Sequence, residues 1–243
     1  MKKKWIYHGG WILGTLLVIY LISTQANAKS TWGTWSLPLS GKIIVIDAGH
    51  GFPDGGAEAH DPENTQESEI TLKISKILRD YLQEAGALVY MTRETENDLA
   101  SPNTSGYSKR KAEDIRKRVD MIKEWDPNFY VSIHLNASTS PEWRGAQTFY
   151  YPGVDNSEKL AKRIQSEIKR NLENTNRETL ATNGIYILKQ TNIPGALVEV
   201  GFLSNNHERE LLKTGEYQDK MAASIYQGIL RYVTEVESLK NEN

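Results

Sequence analysis

Two histidines and one glutamate in this sequence could hold a metal ion. His50 and His134 each end a short apolar run, and Glu67 opens a stretch with apolar residues at helical spacing. Imidazole nitrogens and a carboxylate oxygen, with a fourth position left open, form the ligand set of a hydrolytic zinc site. The 243 residues contain no cysteine, so disulfides are excluded and His, Asp or Glu must supply any metal ligand. The HExxH spacing of helical zinc proteases is absent.

Glu67 and Glu69 are both candidates for the carboxylate ligand. At about 100° of rotation per residue, Glu67 is in line with Ile70 on the face predicted to turn inward, whereas Glu69 falls on the solvent side. Two other interpretations stay open. Glu67 could close a capping box with Asn64, and Glu69 could form a surface pair with Lys73.

Glu199 is the candidate general base, because it interrupts the apolar run Ala196–Phe202. Burial of an unpaired carboxylate raises its pKa by as much as about 3–5 units. A general base that works near neutral pH needs such a shift. A buried ion pair with an arginine such as Arg93 or Arg118 explains the pattern equally well.

The elements that would position these residues alternate between strand-like and helical patterns. This alternation predicts an α/β fold: a single domain with a twisted, mostly parallel sheet of about six strands and helices on both faces. The predicted strands are Ile43–Asp47, Ala87–Thr92, Phe129–His134, Gln147–Tyr151, Gly184–Leu188 and Ala196–Phe202. Ligands bind at the carboxyl ends of strands in such sheets, where His50 and His134 fall. Two long polar loops, Glu94–Gly106 and Asn174–Asn183, either border a substrate groove or are ordinary surface loops.

The N-terminal stretch is predicted to direct export. Lys2–Lys4 precede the apolar segment Trp11–Ile22, and Ala26–Ala28 offers the small residues that a signal peptidase accepts. An uncleaved anchor remains the alternative, and in both cases the body lies outside the cytoplasm. The expected organisation is a signal peptide or membrane anchor over residues 1–28, a linker over 29–40, one folded domain over 41–235 and a polar tail over 236–243. A formal net charge of −2 argues against a nucleic-acid binder.

Four motifs occur in an order that resembles a known enzyme family. They are Asp47-Ala48-Gly49-His50-Gly51, Glu67 before a helix, Ser132-Ile133-His134-Leu135-Asn136-Ala137 and Val198-Glu199-Val200-Gly201-Phe202-Leu203-Ser204-Asn205. Together they resemble the zinc-dependent N-acetylmuramoyl-L-alanine amidases of bacterial cell walls, over about residues 41–234. Gly106-Tyr107-Ser108 and Gly145-Ala146-Gln147 add a likeness to the spore-cortex members. The resemblance implies one zinc ion per chain held by His50, Glu67 and His134, with Glu199 as the catalytic acid/base.

The substrate and location also follow from this resemblance. It implies hydrolysis of the amide bond between N-acetylmuramic acid and L-alanine in peptidoglycan, in the spore cortex ahead of muramic-δ-lactam formation. The domain over 41–235 would be the catalytic domain, and an activating protein partner is compatible with it. Alternatives are a wall-binding accessory protein that is inactive without a partner, and a zinc peptidase or deacetylase that acts on another cell-wall bond.

Two departures from the family pattern affect the ligand loops. Ala48 replaces the usual proline before Gly-His, and Phe52 replaces the usual second glycine after the histidine. Glu67-Ser68-Glu69 replaces the usual Glu-Lys-Asp, so Glu69 stays a reserve ligand. Neither change removes a ligand.

Several other polar residues have both a functional and a structural interpretation. Arg93 and Arg118 would bind a stem-peptide carboxylate or form ordinary salt bridges. Asn136 would orient substrate or stabilise a turn. His60 and His207 are not expected to be ligands, and His207 is predicted to lie at the start of a helix capped by Asn205.

Overall fold

The computed structural model describes residues 11, 13–20, 37–59 and 61–241. The chain divides into two compact units, Met1–Ser36 and Leu37–Asn243. In the first unit residues 13–20 are helical. No helix among the described residues is both long and apolar enough to cross a membrane. The predicted export signals Lys2–Lys4 and Ala26–Ala28 lie outside the described residues.

A six-stranded sheet is the centre of the second unit. Its strands are β1 (Ile43–Ala48), β2 (Leu88–Met91), β3 (Phe129–Asn136), β4 (Gln147–Tyr150), β5 (Leu180–Ala181) and β6 (Gly195–Phe202). The strand order is β2-β1-β3-β6-β4-β5, and only the β4–β6 pair is antiparallel among these described strands. The predicted single-domain α/β fold with a mostly parallel sheet is confirmed.

Six described helices of this unit cover the two faces of the sheet. They are α1 (Glu67–Glu84), α2 (Tyr107–Trp125), α3 (Ser157–Leu172), α4 (Tyr186–Gln190), α5 (Asn206–Leu212) and α6 (Gly215–Asn241). Strand residues alternate between two cores, so that Ile44 and Ile46 enter the larger core and Val45 the smaller one. The larger core is closed by α1, α3 and α6, and the smaller one by α2 and α4. Strands buried on both faces are typical of parallel sheets enclosed by helices.

The predicted strand Gly184–Leu188 is wrong. Residues 186–190 form α4, and the edge strand is instead the two-residue β5. Ile187 and Leu188 are both buried in the smaller core. Adjacent residues of a strand point to opposite faces, whereas a helical turn brings both side chains into one core. A short apolar run does not distinguish these two cases by its period.

Candidate active site

His50, Glu67 and His134 come together at the carboxyl end of the sheet. His50 follows β1, Glu67 is the first residue of α1, and His134 lies near the end of β3. Their ligand atoms all lie within 4.8 Å of one another. Glu67 Oε1 is 3.3 Å from His50 Nε2 and 2.9 Å from His134 Nδ1. Two imidazole nitrogens and a carboxylate oxygen at this separation fit the donor set of a zinc site.

The carboxylate of Glu67 is fixed on both of its oxygens. Oε1 accepts a hydrogen bond from Leu135 N at 2.9 Å, and Oε2 accepts one from Ala57 N at 2.8 Å. Burial by itself raises the pKa of Glu67, but hydrogen bonds and charge interactions with His134 and His50 hold it well below its usual range. The helix α1 begins without a side-chain cap, so the capping-box interpretation is wrong.

Glu69 is exposed on the outer face of α1, as helical phase predicts. Only Glu67 of the two carboxylates joins the histidine pair. The inward placement of Glu67 follows from its alignment with Ile70, whose side chain is buried in the larger core.

Asp54 orients the imidazole of His50. Asp54 Oδ2 lies 3.0 Å from His50 Nδ1, which leaves Nε2 directed toward Glu67. The other oxygen of Asp54 accepts hydrogen bonds from the Tyr107 hydroxyl at 2.6 Å and from Gly56 N at 3.1 Å. A carboxylate that holds the second nitrogen of a ligating histidine is common behind metal sites. Asp54 was not predicted, because its contact with His50 depends on the turn between the two residues.

The backbone around His50 is held in an uncommon conformation. His50 has φ of 60°, in the left-handed region that side chains other than glycine rarely adopt. Gly49 lies against the second histidine: a Cβ there would be 2.4 Å from His134 Cε1. Glycine at this position therefore lets the two histidines approach.

Arg93 and Arg118 donate hydrogen bonds to this backbone and are too deeply buried to contact substrate. Their relative exposures are only 3% and 1%. Arg118 donates to Asp47 Oδ1 at 2.8 Å and to the Ala48 carbonyl at 2.6 Å. Arg93 donates to the carbonyls of Ala48 and Gly49, each at 2.9 Å. The substrate-binding interpretation of both arginines is therefore wrong, and the ion-pair interpretation is confirmed for Arg118.

Glu199 lies in β6 directly beside His134 in the strand register. Its Oε2 is buried and has no hydrogen-bond partner among the described residues. Burial raises the pKa of Glu199 to about 7, which the charge of His134 opposes and the nearby carboxylate of Glu67 reinforces. Within the described chain, neither Arg93 nor Arg118 forms an ion pair with it. Glu199 is therefore a carboxyl group poised to exchange a proton near neutral pH.

Three further candidates lie outside the ligand cluster or outside the described residues. The main-chain carbonyl of Asn136 accepts a hydrogen bond from Leu203 N at 2.9 Å, and the role of the Asn136 side chain stays a prediction. His207 is exposed near the start of α5, whose cap Asn205 accepts from Glu208 N at 3.0 Å. This capping was predicted and is confirmed. His60 lies outside the described residues.

The fold and the ligand cluster agree with a comparison against known families. The family model described as N-acetylmuramoyl-L-alanine amidase (Amidase_3) matches residues 44–231, a span that includes all four candidate residues. The chain belongs to this amidase family. The germination-specific N-acetylmuramoyl-L-alanine amidase of Bacillus subtilis (strain 168) is 52% identical to this amidase over 234 residues, which are 96% of either chain. The resemblance predicted from the four motifs is confirmed.

Two solved structures share the fold of this amidase. The CwlD amidase from Clostridioides difficile, in complex with the GerS lipoprotein, has a TM-score of 0.76 and 40% identity, and the match covers 79% of this chain and 98% of that one. An N-acetylmuramoyl-L-alanine amidase from Clostridium difficile 630 has a TM-score of 0.70 and 28% identity, with 79% and 97% covered. The prediction that the chain is an enzyme of this class is confirmed.

Proposed function

We propose that this amidase hydrolyses the amide bond between N-acetylmuramic acid and the L-alanine of peptidoglycan stem peptides in a zinc-dependent reaction. One observation carries the proposal: three side chains of types that bind zinc converge beside Glu199, whose Oε2 is buried and whose pKa is raised to about 7. The names of the family and of its B. subtilis relative support the choice of bond.

His50, Glu67 and His134 would hold one zinc ion per chain. The donor set suits zinc. The hydrogen bond that His50 Nδ1 donates to Asp54 and the one that Leu135 N donates to Glu67 fix the ligands before any ion binds. When bound, zinc would polarise the scissile carbonyl and make water more acidic.

Glu199 would move the proton that amide hydrolysis requires. Its unpartnered Oε2 would accept a proton from the attacking water as the new C–O bond forms. The same oxygen would return that proton to the amide nitrogen as the C–N bond breaks, so that the peptide leaves as an amine. A pKa of about 7 suits both transfers, because neither protonation state is strongly disfavoured near neutral pH.

The proposed setting is the spore cortex. The B. subtilis relative is named as germination-specific, and this amidase matches it over nearly its whole length. Removal of stem peptides from cortex glycan would then precede formation of muramic-δ-lactam. Peptidoglycan lies outside the cytoplasmic membrane, so the catalytic domain over residues 41–235 would be exported by the segment over 1–28.

A second candidate function is an amidase that turns over only with a protein partner. The C. difficile CwlD amidase was solved in complex with a lipoprotein, GerS. An analogous extracytoplasmic partner would be required if this chain binds zinc but does not cleave peptidoglycan alone.

Product analysis tests these proposals. The purified full chain is incubated with spore peptidoglycan, with zinc or with a chelator, and the products are followed by mass spectrometry. The proposal predicts new L-alanine amino groups and glycan strands without peptide, only when zinc is present. Released acetate would indicate a deacetylase, and amines other than that of L-alanine would indicate a peptidase. Bound zinc without any product would favour the partner-dependent amidase.

A further inference from the structure

We propose that Gln147 and Arg177 form a subsite for a carboxylate of the stem peptide, on the leaving-amine side of the scissile bond. This inference rests on the proposed function and adds a specificity determinant to it. The pair extends the row of candidate catalytic residues along one face of the sheet.

The row crosses three adjacent strands. His134 in β3 is the register partner of Glu199 in β6, and Glu199 is the register partner of Gln147 in β4. Directly paired residues point to the same face of a sheet, with Cβ atoms roughly 5 Å apart. Gln147 therefore lies beside Glu199 on the side away from the metal ligands.

Arg177 continues this row from the loop before β5. One of its terminal nitrogens donates to Gln147 Oε1 at 3.3 Å. The guanidinium carbon lies 5.3 Å from the ring centre of Trp143 and 5.2 Å from that of Phe202. Such distances are typical of cation–π contacts, which hold the guanidinium group near the two rings. Trp143 is 54% exposed, so the group lies at an open surface.

Hydrogen bonds to Gln165 and Thr175 fix the main chain of Arg177. Its carbonyl accepts a hydrogen bond from Gln165 Nε2 at 2.9 Å, and its N–H donates to Thr175 Oγ1 at 3.0 Å. Gln165 is itself buried, with 1% exposure. The side chain is therefore presented by a fixed backbone.

The charge of Arg177 has no ion-pair partner among the described residues. The nearby buried Glu208 directs its oxygens at backbone N–H groups, at 3.0 Å from Gly145 N and 2.7 Å from Phe202 N. Within the described chain, one terminal nitrogen of the guanidinium also has no hydrogen-bond acceptor. A half-buried, pre-oriented guanidinium with free donors is suited to bind a carboxylate.

The direction of the substrate follows from the role of Glu199. This residue would protonate the leaving nitrogen, so the scissile carbonyl lies toward the metal ligands and the peptide continues toward Gln147. An extended residue spans about 3.5 Å, and neighbouring strands are about 4.8 Å apart. A carboxylate on the second residue of the stem peptide would then reach Arg177.

A matched pair of substrates tests the subsite. Two soluble muramoyl tripeptides are compared in which the second residue is a glutamate joined to the third residue through its γ-carboxyl group. Its α-carboxyl group is free in one tripeptide and amidated in the other. We expect the wild-type amidase to prefer the free acid about tenfold in kcat/KM, through KM, since a charge-assisted hydrogen bond is worth roughly that factor. Arg177→Gln should raise KM for the free acid and remove the preference. Arg177→Lys should retain part of it.

Arg116→Gln is the matched control, because Arg116 is an exposed arginine on α2. It should keep the wild-type preference. Zinc content and thermal unfolding are measured for each variant, so that a misfolded protein is recognised. Equal KM values for the two substrates in the wild type, or a full preference in folded Arg177→Gln, would overturn the subsite and leave the amidase function standing. Failure of the zinc-loaded wild type on both substrates and on peptidoglycan would reject hydrolysis by this chain alone, and the subsite with it, and would favour the partner-dependent amidase.

Discussion

Gly49 is the residue that allows His134 to lie against the backbone of the His50 loop. A Cβ at this position would be 2.4 Å from His134 Cε1. We expect Gly49→Ala to displace the imidazole and to weaken zinc binding roughly 10–100-fold, the range found when support behind a ligand is lost. Competition with a zinc-binding dye measures the change. Gly184→Ala is the control, since its Cβ would be 3.7 Å from the nearest side-chain atom, Thr182 Oγ1, and its affinity should match the wild type.

The positions of some site residues could be predicted from the sequence, and those of others could not. The inward direction of Glu67 followed from helical phase, and the burial of Glu199 followed from the apolar strand around it. Gln147 and Arg177 had no such signal, because their proximity to Glu199 depends on an antiparallel register and on the path of a loop. The carboxylate of Asp54 reaches His50 only through the turn between them, which residue types alone did not specify.

At the scale of elements, Arg118 ties α2 to the end of β1. Its guanidinium contacts Asp114 Oδ2 on its own helix and Asp47 Oδ1 on β1, each at 2.8 Å. Arg118→Met would leave two buried carboxylates without their cation. We expect the free energy of unfolding to fall by about 3–5 kcal/mol, as for other broken buried ion pairs.

Urea unfolding of the zinc-free protein measures this loss. Arg116→Met provides the control on the same helix, because Arg116 is exposed, and it should change stability by less than about 0.5 kcal/mol. Similar urea midpoints for the two variants would show that Arg118 does not stabilise the α2–β1 contact.

The elements themselves were predicted well where their patterns were long. The strands β1, β3 and β6 and the amphipathic α1 have enough residues for the period to be distinct. The errors concern short elements. Residues 186–190 form a helix because Ile187 and Leu188 share one core, and β5 has only two residues, too few to show alternation.

For the whole molecule, the buried charges near the sheet predict how stability depends on pH. Asp47 is fully buried, which by itself raises its pKa. The charges of Arg118 and His134 and hydrogen bonds from Ser132 and Thr92 lower the pKa to about 2, below its usual 3.8. A lowered folded pKa contributes stability above pH 4, and this contribution is lost as pH falls toward 2.

The expected contribution of this ionisation is about 2 kcal/mol, from a difference of nearly two pKa units. Asp47→Asn removes it while keeping the shape of the side chain. We expect the variant to be less stable than the wild type at pH 7 and to lose less stability between pH 4 and pH 2. Chemical unfolding at each pH measures how the stability of each protein changes with pH. An equal loss of stability between pH 4 and pH 2 in the two proteins would contradict a lowered pKa for Asp47.

The separate roles of the metal ligands and of Glu199 are tested most directly when bound zinc and peptidoglycan cleavage are measured on the same preparations. The wild type should bind one zinc ion per chain and cleave peptidoglycan so that new L-alanine amino groups are exposed. Glu199→Gln should bind the same amount of zinc and lose at least about 100-fold in turnover, the usual effect of removing a general base. His134→Ala should lose both zinc and turnover. Wild-type turnover in Glu199→Gln, or wild-type zinc affinity in His134→Ala, would contradict these roles.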